Sequence, residues 1–261
     1  MDYTRQEMMA IATGREIRDG EMAIFGVGLS MLAGYFAKRN HAPNIRDLTE
    51  GGVFGAFPVG GLPWGIECNR ISSNATSFTN GIDALGFLVA SGRCDVGVIG
   101  AAQVDKYGNV NTTGLWADPA NPRYLPPKIR LNGSGGANEI ASGCKRFIIM
   151  VTHEKKRFVE KVDYISSPGY LTGGNARDKY NFAGGGPSVI ITSLGIMRPD
   201  PVTREFILTE YFPFSSVEEI RENTGWDLKV SPEVKVVAKP TPKEIENLRA
   251  VDETGALRRK S

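Results

Sequence analysis

The spacing of apolar residues changes several times along this 261-residue chain, and each change marks a new element. Thr4 and Glu7 stand three apart ahead of an apolar run over residues 8–17, a capping-box pattern that predicts a first helix, ended by Asp19-Gly20. The near-continuous apolar segment 22–28 (MAIFGVG) reads as a buried strand, and 30–39 (SMLAGYFAKR) as the helix behind it. His41-Ala42-Pro43 breaks that helix, residues 44–50 (NIRDLTE) predict a second strand, and 51–65 a glycine-rich loop. Ile82, Leu85, Leu88 and Val89 mark one face of a helix, and 94–104 (CDVGVIGAAQV) is a buried strand. Strands alternating with helices in this way build a mainly parallel sheet.

The second half changes character. RFIIMVTH, KVDYISS, SVIITSLGIM and EFILTEYF read as strands separated by turns such as RPDPVTR. Ser215 or Ser216 caps a short helix over VEEIREN, and Thr241-Pro242 with Glu244 opens a last one. No internal repeat, low-complexity stretch or linker interrupts the pattern. The expectation is a single α/β domain over 1–261: a mainly parallel open sheet with helices on both faces and a β-richer C-terminal part.

Composition narrows the function classes. A net charge of +2 gives no general basic face, which argues against nucleic acid and membrane surfaces as partners. Cys68, Cys94 and Cys144 are widely spaced and odd in number, which fits reduced thiols in a cytoplasm better than a disulfide framework or a zinc site. With His41 and His153 the only histidines, a histidine-based metal cluster is not expected. The N-terminal sequence lacks the basic-then-apolar order of a signal peptide, and the uncharged run 22–37 is shorter than the roughly 20 residues of a membrane span.

Ligands of open parallel sheets bind beyond the carboxyl ends of the strands. Three stretches place polar or glycine-rich residues near such ends: Glu50-Gly51-Gly52, residues 100–111 (GAAQVDKYGNVN), and 132–140 (NGSGGANEI). Glycines after Glu50 let a bulky substrate approach the backbone; read alone, a strand-end glutamate is an ordinary solvated residue. Gly133 to Gly136 can aim adjacent N–H groups at an oxyanion, with a flexible loop as the plainer alternative. Neither the Walker nor the Rossmann glycine spacing is met. Asp105, Asn109 and Asn111 suit a turn, whereas the amide of Gln103, near a buried strand end, needs a partner or faces a cavity. The stretch HEKKRF (153–158) reads as a solvated charged face, or else as an attraction for a phosphate-bearing ligand.

Taken in order, AKRNHAPN, the TEGG of 49–52, GAAQVDKYGNVN, NGSGGANEIAS, HEKKRFVEKVDYISSPG and SLGIMRPDPVTREFILTEYFP followed by SSVEEIRENTGWDL resemble the B subunits of class I coenzyme A transferases of the glutaconate type. The family's Glu-Ser-Gly motif falls on Glu50-Gly51-Gly52, with glycine in place of the serine, and residues 53–76 do not follow the family pattern. The resemblance implies that Glu50 is the catalytic nucleophile. It also implies oxyanion and CoA contacts from among Gly51, Gly52, Gln103, Gly133, Gly135, Gly136 and Asn138. No permanently bound cofactor or metal is implied, because CoA travels on the substrates. The implied partner is an A-type (alpha) subunit in a heterotetramer or larger assembly, and the implied substrates are an acyl-CoA and a glutaconate-like dicarboxylate or related acid. Three other readings stand beside transfer: an acyl-CoA hydrolase of the same fold, a non-catalytic sugar-phosphate or effector-binding module, and a non-catalytic scaffold whose partner holds the site.

Overall fold

A computed structural model describes residues 2–66, 68–118 and 126–257. Helix α1 (Arg5–Arg15) opens with the expected capping box, in which Glu7 N–H donates to Thr4 Oγ1 at 3.1 Å while Thr4 N–H donates to Glu7 Oε2 at 2.8 Å. Strand β1 (Met22–Phe25) leads into α2 (Leu29–Asn40), and β2 (Arg46–Leu48) returns parallel to β1. The stretch expected to be loop contains β3 (Val53–Phe54), which pairs antiparallel with β2 and with β4 (Ser77–Phe78). Glycine content hides this strand, because a two-residue element leaves no periodicity to read.

Residues 94–104 divide into β5 (Val96–Gly100) and β6 (Gln103–Val104), the latter forming a small ribbon with β7 (Val110–Asn111). A second ribbon joins β8 (Gly114–Leu115) to β9 (Ile129–Arg130). After α3 (Ala137–Gly143) come β10 (Arg146–Val151), β11 (Pro187–Thr192), β12 (Gly195–Pro199) and β13 (Phe206–Tyr211). Helix α4 (Val217–Glu222), β14 (Val230–Val236) and α5 (Pro242–Val251) complete the order. The capping residues are Ser216 for α4 and Thr241 for α5.

A ten-stranded sheet runs β14-β13-β12-β11-β10-β5-β1-β2-β3-β4. Its centre, β2-β1-β5-β10-β11, is parallel, and antiparallel strands flank it on both sides. Alternate side chains of each central strand enter different cores. Ile148 and Met150 join Ala23, Phe25, Leu32, Phe36 and Leu248 on the face covered by α1, α2 and α5. Phe147, Ile149 and Val151 join Ile24, Ile99, Ile140 and Ile220 on the face of α3 and α4.

Two local expectations need correcting, and one strand lies where none is expected. KVDYISS is not a strand: Ser167 makes one isolated bridge to Val110, and the Asp163 carboxylate is occupied by Gln103 Nε2 at 3.1 Å and the Trp116 N–H at 2.9 Å. The 82–89 segment is a π-helix, with Ala90 N–H donating to Leu85 O at 2.8 Å and Arg93 N–H to Leu88 O at 3.1 Å. The wider turn buries Ala84 and Val89, five apart, and leaves Ile82 83% exposed. Strand β14 is not expected from the sequence, because Pro232 argues against a strand except at a sheet edge, where β14 lies.

Candidate active site

Leu48 is buried at the end of β2, and the chain then reverses in a tight turn. Gly52 N–H donates to Thr49 O at 3.0 Å, Val53 N–H to Thr49 Oγ1 at 3.1 Å, and Thr49 N–H to Val53 O at 3.0 Å. Gly52 has φ +85°, and a Cβ there would come within 2.6 Å of the Thr79 carbonyl, so the turn requires glycine. Behind it, Lys38 of α2 pairs with the buried Asp47 of β2 and donates to Ala56 O at 3.2 Å, fixing strand against helix. Glu50 is the residue this turn presents beyond the carboxyl end of β2.

Its carboxylate rests on the glycine loop ahead of α3. A Cβ built on Gly136 would lie 2.9 Å from Glu50 Oε1 and 3.1 Å from Leu85 Cδ1, and one on Gly135 would lie 3.8 Å from Oε2. The Gly136 N–H donates to the carboxylate. Burial raises the Glu50 pKa above its ordinary value, the Gly136 N–H opposes the rise, and the Glu139 carboxylate adds to it.

Glu50 faces a cleft of about 420 Å³ lined also by Gly26 and Val27 after β1, Gly100 at the end of β5, Thr112, and Gly133-Ser134. Glu50, Gly26-Val27 and Gly100 mark the carboxyl ends of the neighbouring parallel strands β2, β1 and β5, where an open sheet receives ligands. No lysine or arginine lines the cleft among the described residues. A larger cavity of about 630 Å³, with Lys106, Tyr107, Lys179 and Tyr180 in its wall, lies apart from Glu50. Volume alone favours the second, but Asp105 in its wall is tied up by Asn109 and the N–H groups of its own turn, whereas Glu50 in the first stands against a separate glycine loop.

The expected site residues divide into two groups. Glu50, Gly133, Gly135 and Gly136 come together, although Gly133 N–H donates to Thr112 O at 2.9 Å and holds the loop in place. Gly51 lies in the turn, where a Cβ would meet Thr49 Oγ1 at 3.9 Å, the Gly52 N–H is taken by the turn itself, and Asn138 is exposed on α3. Gln103 lies outside the cleft lining. Its side chain accepts from Asn111 Nδ2 at 2.8 Å and donates to Asp163, so it braces the β6–β7 ribbon. Asp105 likewise accepts from Tyr107 N–H and Asn109 N–H, the turn role its sequence context suits. His153 is buried, whereas Lys155 and Lys156 beside it are exposed. Among the described residues no three His, Cys, Asp or Glu side chains converge as metal ligands would.

Sequence reasoning overlooks Gly26-Val27, Thr112 and Glu139. A glycine pair after β1 (Gly26 and Gly28) is a usable signal, since it too marks a strand-to-helix junction. Thr112 and Glu139 carry no such mark in one dimension.

The coenzyme A transferase family profile matches residues 6–223. This chain belongs to that family. It is 37% identical over 250 residues to the B subunit of the 3-oxoadipate CoA-transferase of Pseudomonas knackmussii, covering 96% of this chain and 94% of the relative. It is also 37% identical over 255 residues to the B subunit of the glutaconate CoA-transferase of Acidaminococcus fermentans, covering 95% and 92%. The crystal structure of glutaconate coenzyme A-transferase from Acidaminococcus fermentans superposes with a TM-score of 0.90 at 34% identity, covering 99% of this chain and 98% of that one. The decarboxylase AibA/AibB shares the fold, with a TM-score of 0.80 at 22% identity over 97% of this chain and 96% of its own. The chain is therefore a B-type CoA-transferase subunit, the half of a two-subunit enzyme that works with an alpha-type partner. No helix among the described residues is long and apolar enough to cross a membrane.

Proposed function

We propose that Glu50 is the nucleophile through which this CoA-transferase subunit moves CoA from an acyl-CoA to a carboxylic acid. The observation that carries this reading is the contact between the Glu50 carboxylate and the Gly135-Gly136 backbone at the mouth of the cleft.

A carboxylate is the right nucleophile for exchange between acids. Glu50 attacks the acyl-CoA carbonyl, its oxygen bonding to the acyl carbon as the C–S bond breaks, and CoA leaves as thiolate. The thiolate attacks the glutamyl carbonyl, giving a glutamyl-CoA thioester and releasing the first acid. A second acid reverses both steps. In the thiolate step the negative charge gathers on an oxygen of Glu50 itself, which rests against the Gly136 N–H. Removing one donor of this kind typically costs about 2.7–4 kcal/mol of barrier.

Both 37%-identical relatives are named for dicarboxylic acids, so a short dicarboxylate is the proposed acyl class. Without a cation in the cleft lining, the second carboxylate of such a substrate falls to the alpha-type partner to neutralise. Closure by that partner, in a heterotetramer or larger assembly, also keeps water from the anhydride and thioester. CoA enters on the substrate, and the free thiols of Cys68, Cys94 and Cys144 suit a reducing cytoplasm.

Co-purification with an alpha-type subunit and assay of CoA transfer to glutaconate and to 3-oxoadipate tests this. Turnover is expected only with both subunits and only with an acceptor acid. Acyl-CoA loss at the same rate without acceptor contradicts transfer and leaves a hydrolase.

A further inference from the structure

Glu139 is a carboxylate that the fold leaves partly unpartnered. It sits in the first turn of α3, three residues after Gly136, whose N–H bonds Glu50. Its Oε2 is buried and has no hydrogen-bond partner, an arrangement that costs free energy and is uncommon in native proteins. No lysine or arginine is paired with it among the described ion pairs. Its place in the first turn of α3 suits the helix dipole, but that does not account for an unpartnered buried oxygen.

The surroundings of Glu50 supply one. The turn before it and the loop 131–134 bring no charge, and neither do Gly26-Val27 after β1 or Ala102 and Thr112 at the ribbon. The π-helix contributes Leu85, while its Asp83 accepts from Thr79 Oγ1 at 3.0 Å and Asn80 Nδ2 at 2.8 Å. Among the described residues the charge that raises the Glu50 pKa is that of Glu139, which lies one turn along α3 from the Gly136 against which Glu50 rests. The pair is therefore a like-charge interaction in a half-buried setting, where Coulomb interactions are stronger than in water, and no lysine or arginine lines the cleft to offset it among the described residues.

We infer that Glu139 is a positioning residue whose unpaired carboxylate destabilises the Glu50 carboxylate and is relieved when Glu50 is acylated. The inference rests on the reading of Glu50 as nucleophile. Charge balance makes the direction definite. Over the first half-reaction, Glu50 carboxylate and acyl-CoA become glutamyl-CoA thioester and free carboxylate. The negative charge leaves Glu50 with the departing acid, so repulsion from Glu139 is present before acylation and absent after it. Glu139 thus shifts the internal equilibrium toward the covalent enzyme and helps to expel the anionic product.

The test is Glu139→Gln in the two-subunit complex, which keeps size and removes charge, beside Glu139→Asp, which keeps the charge. Intact mass at a fixed ratio of acyl-CoA to free acid reads the CoA-bearing fraction. The equilibrium ratio of thioester to free enzyme should fall by roughly an order of magnitude in Glu139→Gln. Glu139→Asp should hold the ratio nearer the wild-type value. The acid limb of kcat/KM against pH should also move to lower pH in Glu139→Gln, a change that a merely structural role does not produce. A folded Glu139→Gln complex with the wild-type thioester ratio and acid limb overturns the inference. Absence of any CoA adduct in the wild-type complex would instead overturn the reading of Glu50.

Discussion

Glu50 and Gly136 exclude each other's side chains: the space a Cβ would need at position 136 is occupied by Glu50 Oε1, 2.9 Å away, and Cδ, 3.0 Å away. Gly136 has φ −79° and ψ 4°, a conformation open to alanine, so the requirement for glycine is contact with the carboxylate and not backbone strain.

Gly136→Ala should therefore displace the nucleophile from its donor and lower the transfer rate by about a hundredfold or more, the scale of losing one oxyanion donor. The thermal midpoint should stay near wild type, because Glu50 is on a turn and can move. Gly34→Ala is the control: a Cβ there would lie 2.4 Å from the buried Phe25 ring, so stability should fall while the remaining folded protein transfers CoA normally. Thermal denaturation paired with turnover per folded molecule separates the two.

Glu50→Gln should reduce transfer by more than about a thousandfold, since a nucleophile cannot be replaced by binding alone. Its effect on stability should have the opposite sign. The folded state raises the Glu50 pKa, chiefly by burial, so its ionised form opposes folding once the pH exceeds the ordinary value of 4.5. Chemical denaturation should show Glu50→Gln as stable as wild type or more so at pH 7, with the difference closing below pH 4.5.

Lys38→Met should unfold the site from behind. It strands Asp47, whose side chain is 2% exposed, without its cation, and breaking such a buried pair costs about 3–5 kcal/mol. Urea unfolding of Lys38→Met against wild type measures it, and a loss under about 1 kcal/mol would contradict the assigned role.

His153 makes stability acid-sensitive at a distance from the site. It stacks on Phe158 with ring centroids 4.0 Å apart and contacts Thr192 Oγ1 and Thr224 Oγ1 at 3.1 Å each. Burial lowers its pKa from 6.5 to about 4. A depressed histidine pKa means that the unfolded chain takes up the proton first. Its contribution is intact above pH 6.5 and is lost as pH falls toward 4, by about 3 kcal/mol in total. His153→Met should flatten that part of the stability profile, measured by denaturant titration between pH 7 and pH 4.

Much of the fold is legible in the sequence because the signals are local and repeated. The capping boxes at Thr4 and Thr241 and the apolar runs of β5 and β10 each state their own structure. What escapes depends on partners distant in sequence. β3 exists because β2 and β4 flank it, and β14 because β13 has a free edge. The 82–89 segment has a helical composition, and only packing of Ala84 and Val89 decides its wider turn. At the site, the motif points to Glu50 and the glycines to a donor loop, but their meeting joins residues 86 positions apart, from 50 to 136. Gln103 and Gly52 look like donors in one dimension and are occupied by Asp163 and Thr49 in three. Glu139 gives no sign at all, since its importance lies in the partner it lacks.

Covalent passage of CoA through Glu50 is tested most directly by intact mass spectrometry of the two-subunit complex after incubation with acyl-CoA and removal of free ligand. The expected result is that this chain alone gains the mass of CoA less one water, that peptide mapping places it on Glu50, and that an acceptor acid discharges it. A complex that turns over acyl-CoA with no adduct on this chain, or with the adduct on another residue, would contradict covalent passage through Glu50.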